Sequence, residues 1–167
     1  MENTGKISLR VVFLAALASV LMCIFAADAS NQPTLDSLPD VPGWTGSATQ
    51  LTSLKSAEKE EGRMLERSYR KNGTLQTVTV VLLEGSGTSW LTFPEEAIDA
   101  TDGPFGTGST YRTLKVRGKE AVLENHPIQG KALAIKLDTS VTLTIEMSSD
   151  EALLLEFAHE IIELAGF

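Results

Sequence analysis

Cysteine is nearly absent from this sequence: Cys23 stands alone. One thiol closes no disulfide within the chain and builds no cysteine zinc cluster. Histidine is almost as scarce, with only His126 and His159, so a site needing three imidazoles cannot form in one chain. Cations are also in deficit. Lys+Arg 14 against Asp+Glu 22 leave a net charge of -8, which opposes a nucleic-acid partner, whose affinity rests on Lys and Arg neutralising phosphates. No Gly-x-Ser-x-Gly elbow, P-loop or dinucleotide fingerprint occurs after residue 29. The segment Gly85-Ser86-Gly87-Thr88-Ser89 has neither the lysine nor the following helix of a phosphate cradle. What remains is an ordinary globular composition, 43% hydrophobic and 22% charged, which excludes a disordered or collagen-like chain.

Long apolar runs are limited to one. Met1 to Arg10 are polar and carry Lys6 and Arg10, and Val11 to Ala26 then continue without a charge. This is the layout of a secretory signal. The run is short for a spanning helix, which needs about 20 apolar residues, although an uncleaved anchor stays open. Ala27-Asp28-Ala29 supplies small residues for peptidase cleavage before Ser30. A lipid-modified Cys23 is the rival, opposed by the bulky Met22 before it. Cleavage would remove the only cysteine. It would remove Glu2 and Asp28 along with Lys6 and Arg10, so the acidity belongs to the remainder.

Residues 30–46 contain Pro33, Pro39 and Pro42 and read as a tether and lead-in turn before a single domain over residues 47–167. Residues 47–61 satisfy neither period cleanly. Beyond them the hydrophobic period is close to two, and three hairpins are expected. Arg63 to Arg70 and Thr74 to Leu83 flank Asn72-Gly73, the pair that suits a type I′ turn. Ser109 to Arg117 and Glu120 to Glu124 flank Gly118-Lys119. Ala132 to Leu137 and Val141 to Met147 flank Asp138-Thr139-Ser140, with Leu133, Ile135, Leu137, Val141, Leu143 and Ile145 pointing inward. A helix closes the chain. Ser148 and Glu151 fit a capping box, and Leu154, Phe157, Ala158, Ile161 and Ala165 fall on one stripe. The expected fold is therefore α+β: an antiparallel sheet of about six strands built from hairpins, with the C-terminal helix packed on one face.

The run Val116-Arg117-Gly118-Lys119-Glu120-Ala121-Val122-Leu123, two further strands, and then Ser148-Ser149-Asp150-Glu151-Ala152-Leu153-Leu154 resemble the last third of small exported PsbP-like domains. They are also similar to extracytoplasmic domains on some bacterial anti-sigma factors and lipoproteins. The resemblance covers about residues 109–165. It implies an α+β domain used for binding or assembly, and no catalytic residues to carry over.

Candidate chemistry is sparse. His159 lies in Glu156-x-x-His159-Glu160-x-x-Glu163, a pattern with half of a di-iron motif and a zinc-protease helix lacking its second His, and the stripe places these residues on the polar helix face. His126, before Pro127, reads as a loop histidine, with a general base as the alternative. Residues 84–107 are longer than a connection needs. Trp90, Leu91, Phe93, Ile98 and Phe105 there are too apolar for a solvated loop, and either plug the core or form a binding lip. Trp90, Phe93 and Phe105 are the candidate binding residues. Glu95, Glu96, Asp99 and Asp102 make the stretch acidic without the order of a calcium loop. Arg63, Arg67, Arg70, Lys71, Arg112, Lys115 and Arg117 either pair with carboxylates or form a patch for an anionic partner. Asn72-Gly73-Thr74 matches a glycosylation sequon, but the turn already accounts for its Asn and Gly. The reading is an exported binding or assembly module of the cell envelope, periplasmic or extracellular, without catalytic activity. It expects no cofactor, no metal and no nucleic acid, and a protein or small ligand as partner. It touches membrane only through the signal segment if that is uncleaved. A small hydrolase or metal-dependent enzyme is the alternative.

Overall fold

The computed structural model describes residues 35–55, 60–85, 100–101, 108–148 and 150–167. The signal segment and the candidate residues Trp90, Phe93 and Phe105 lie outside them. Leu35–Phe167 form one compact unit. Its strands are β1 (Trp44–Gly46), β2 (Gln50–Lys55), β3 (Glu60–Lys71), β4 (Thr77–Gly85), β5 (Ala100–Thr101), β6 (Thr110–Val116), β7 (Lys119–His126), β8 (Gly130–Asp138) and β9 (Val141–Met147), followed by helix α1 (Glu151–Ala165).

All of these strands pair antiparallel in one sheet of order β1-β3-β4-β9-β8-β7-β6-β5. Strand β2 lies end to end with β1 along the same edge of β3, pairing Gln50 with Glu66 where β1 pairs Gly46 with Tyr69. Nine strands thus make a sheet eight wide. The six expected strands are present, and the sheet is larger because residues 44–55, partly assigned to the tether and partly unassigned, form its first edge and Ala100–Thr101, within the stretch read as irregular, form its last. Two meanders, β2-β3-β4 and β6-β7-β8-β9, meet where Val80 pairs with Ile145.

Alternation decides the faces. Leu65, Tyr69, Val78, Val80, Leu82, Ala121, Leu123, Leu133, Ile135, Leu143 and Ile145 are buried on one face, and α1 sets Leu154, Phe157, Ala158, Ile161 and Ala165 against it. Every inward residue expected of the third hairpin is buried. The ring of Phe157 meets Trp44 edge-on at 4.8 Å and Tyr69 at 5.2 Å. On the opposite face Val81, Val122, Ala134 and Thr144 are half-buried, while Thr142 is buried.

The compact unit begins before residue 47. Leu38 and Val41 are 1% and 3% exposed, so residues 35–41 are a strap on the core rather than a tether. Arg67 fastens the strap: its guanidinium donates to Leu38 O at 2.6 Å and to Ser47 O at 2.7 Å and pairs with Asp40. The Tyr69 hydroxyl donates to Pro39 O at 2.8 Å. Apolar sheet left uncovered by one helix needs a second cover, and the strap supplies it.

Three local expectations shift. Asn72-Gly73 sits in a longer turn, because β3 and β4 are closed by Lys71 N–H donating to Gln76 O at 3.0 Å, and only Gly73 of the pair has positive φ. The two-residue turn with both φ positive is Arg117-Gly118, at 50° and 81°, with Val116 opposite Lys119. The helix is capped by Asp150, whose carboxylate accepts from Ala152 N at 3.0 Å and Leu153 N at 3.3 Å. Glu151 pairs instead with Arg112 and Lys131, cations that β6 and β8 bring beneath the first turn.

Candidate functional site

The strand register places the β3–β4 and β7–β8 turns at the same end of the sheet, since Val78, Met147 and Lys131 are aligned across β4, β9 and β8 and Gly130 faces His126. Three inter-strand spacings separate the two turns, about 14 Å. The start of β1 and the first turn of α1 belong to this end as well: Trp44 pairs with Lys71, and Glu151 reaches Lys131.

Each turn is held by its own hydrogen bonds. In the first, Thr74 donates N–H and hydroxyl to Lys71 O at 3.2 and 3.1 Å, and its Oγ1 accepts from Gln76 N at 3.2 Å. Asn72 braces it from the side, donating N–H to Gly43 O at 3.0 Å and accepting the Thr45 hydroxyl at 2.7 Å. In the second turn His126 Nδ1 accepts from Ile128 N at 3.1 Å and Gln129 N at 2.9 Å. Gly130 then passes so close to β9 that a Cβ would meet Ser148 Cα at 2.5 Å. With its backbone groups so committed, each turn presents one large aliphatic side chain outward: Leu75 is 95% exposed and Ile128 89%.

Charge within the two tip segments is one-sided, while Glu124 and Glu146 of the flanking strands line the cleft beside the second tip. Residues 67–83 contain Arg67, Arg70 and Lys71 and no carboxylate, and residues 125–137 contain Lys131 and Lys136 and no carboxylate, in a chain of net charge -8. Arg67 is used by the strap. Arg70 is exposed and, among the described residues, has no carboxylate partner; the Lys71 ammonium lies 5.9 Å from the Trp44 ring centroid. The carboxylates of the neighbouring helix start are occupied, Asp150 by backbone N–H groups and Glu151 by Arg112 and Lys131.

The remaining candidates among the described residues lie on strands and on α1, while Leu91, Glu95, Glu96, Ile98, Asp99 and Asp102 lie outside those residues. His126 closes its turn through Nδ1, which accepts the Ile128 and Gln129 N–H groups. A cleft of about 130 Å³ beside it is lined by Glu124, His126, Gln129, Lys131 and Glu146. A larger cleft of about 410 Å³ runs along the strap over Arg67, whose guanidinium is committed to that strap. His159 and Glu156 are exposed on α1, and Glu163 pairs with Arg117 at 2.7 Å. Arg63 pairs with Glu84 and lies 3.6 Å from Asp36; the Glu84 hydrogen bond is the main cause that raises its pKa, against the opposing cost of burial. Among the described residues no group of three His, Cys, Asp or Glu is arranged to hold a metal, and no helix is long and apolar enough to cross a membrane.

Sequence reasoning placed candidate contact aromatics on residues 84–107 and did not single out the exposed Leu75 and Ile128. The available signal was a large aliphatic enclosed by turn formers, Asn72-Gly73-Thr74-Leu75-Gln76 and His126-Pro127-Ile128-Gln129-Gly130. Neither a family model, nor a curated protein, nor a solved structure matches the chain.

Proposed function

We propose that this chain is an exported binding or assembly module of the cell envelope, and that it makes contact through the end of the sheet carrying the β3–β4 and β7–β8 turns. The observation that carries the reading is the joint exposure of Leu75 and Ile128 on two braced tips at one end. An aliphatic side chain held in water forgoes about 1.5 to 3 kcal/mol of burial, and a tip that recovers it on contact has a direct physical use. Export rests on the polar start, the apolar run Val11 to Ala26 and Ala27-Asp28-Ala29. The PsbP-like resemblance of residues 109–165 agrees with a binding role.

Photo-crosslinking in the native envelope tests the reading. A photoreactive residue at position 75 or 128 is expected to form adducts that the same residue at 139, at the other end of the sheet, does not. Equal labelling at all three positions would remove the contact surface from that end. Intact mass of envelope protein should begin at Ser30, and a chain retaining Met1 or a lipid on Cys23 contradicts cleavage there.

A further inference from the structure

We infer that the partner of this end is an anionic lipid surface, entered by the side chains of Leu75 and Ile128 with Arg70 and Lys71 at the level of the headgroups. The inference rests on the contact surface proposed above and names what it touches.

Shape is the first ground. A protein interface is normally organised around a buried aromatic or arginine anchor set in a continuous patch of about 800 Å² per partner. Here two single aliphatic tips stand about 14 Å apart, with the polar helix cap Asp150 at the same end and no aromatic side chain projecting with them among the described residues. Separate convex tips suit a soft, continuous apolar medium beneath a polar layer, which accepts each side chain independently.

Charge is the second ground. The body of the molecule is acidic, yet both tip segments are free of carboxylates, the helix-start carboxylates are already bound within the fold, and Glu124 and Glu146 lie back from the tip, on either side of Ala132 and beside Lys131. An anionic surface therefore attracts this end and repels the rest, which orients the molecule tips-first. Lys71, stacked over Trp44 beside Asn72, is positioned by the fold rather than left to wander. Rigidity is the third ground. Turns whose backbone groups are already bonded present Leu75 and Ile128 without an ordering cost at the moment of contact.

The test uses the full chain, with Cys23→Ser so that a single added thiol carries an environment-sensitive fluorophore. Leu75→Cys, Ile128→Cys and Thr139→Cys are labelled in turn and mixed with phosphatidylcholine vesicles with or without phosphatidylglycerol. Labels at 75 and 128 are expected to shift to the blue with anionic vesicles and to be quenched by lipid-borne quenchers, while the label at 139 stays in water. In the chain labelled at 128, Leu75→Ser is expected to weaken the response about tenfold. Arg70→Gln and Lys71→Gln should each weaken it about fivefold, and added salt should act in the same direction. Because residues 1–34 contain an apolar run, vesicle binding of the chain alone is not the readout. Binding with labels 75 and 128 still in water, or with label 139 responding equally, overturns the inference. If the vesicle labels stay silent while positions 75 and 128 crosslink to envelope protein, the lipid assignment falls and the contact surface stands; if both are silent, both fall.

Discussion

Tyr69 sits 1% exposed between Phe157 and the strap, with its hydroxyl on Pro39 O. Burial pushes its pKa up to about 12, with Arg67 nearby opposing the shift. The folded pKa is above the unfolded value near 10, so the folded state keeps a proton that the unfolded state has lost. The associated stability is whole below pH 10 and is lost as pH rises through about 12, roughly 2 to 3 kcal/mol in all. Urea midpoints measured from pH 9 to 12 should fall more steeply in the wild type than in Tyr69→Phe, which forfeits about 1 kcal/mol at pH 7 with the lost hydrogen bond. Parallel curves would show that the phenol does not titrate this way. Two glycines separate backbone strain from crowding. Gly118, at φ 81°, has no atom near a would-be Cβ, so Gly118→Ala is expected to cost about 1 to 2 kcal/mol from conformation alone. Gly130→Ala adds a clash with the backbone of Met147 and Ser148 and should cost more in the same urea series.

The helix is the element whose removal the sheet cannot absorb. Its buried stripe, the Asp150 cap and the C-terminal bonds Gly166 N to Glu163 O and Phe167 N to Ile162 O at 3.1 Å each act at a different point of α1. The last pair, with Gly166 at φ 78°, is the Schellman arrangement. Phe157→Ala should cost about 3 to 5 kcal/mol, because a ring that touches Trp44 and Tyr69 leaves a cavity. Exposed Glu156→Ala should stay within about 0.5 kcal/mol. The cap assignment has its own check: Asp150→Ala is expected to cost about 1 kcal/mol, and Ser148→Ala far less. The reverse order in thermal melts would restore Ser148 as the cap.

For the whole molecule, the strap decides where the domain starts. A chain beginning at Leu35 contains the complete compact unit and should melt cooperatively. A chain beginning at Ser47 lacks Leu38, Val41 and Trp44, which lie in or against the core, and should be unfolded or show a broad transition by calorimetry. Equal melting of the two would mean that the strap contributes little to the core. The tips make the opposite prediction: Leu75→Ser with Ile128→Ser removes only exposed side chains and should leave the melting temperature within a degree or two.

Local chemistry made several of these features legible. Alternation along residues 109–147 and the stripe of α1 are dictated by geometry that a short segment carries in itself, and their inward residues are buried, Leu114 only in part. Chain-distant partners decided the rest. Strand β2 pairs with β3 across register that no period in Gln50–Lys55 announces, since its residues are mostly exposed at a sheet edge. The strap looked like a tether because Pro33, Pro39 and Pro42 are local signals, whereas Leu38 and Val41 are buried by partners 20 and more residues away, Arg67, Tyr69 and Phe157 among those that hold the strap or border it. The cap lies at Asp150, whose carboxylate accepts the Ala152 and Leu153 N–H groups, and Glu151 is paired with cations that β6 and β8 bring from elsewhere in the chain. Leu75 and Ile128 are separated by more than 50 residues, and only the order β3-β4-β9-β8-β7 sets them at one end. Burial of a side chain and the company of a surface depend on which distant segments fold against it, and that is a property of tertiary structure.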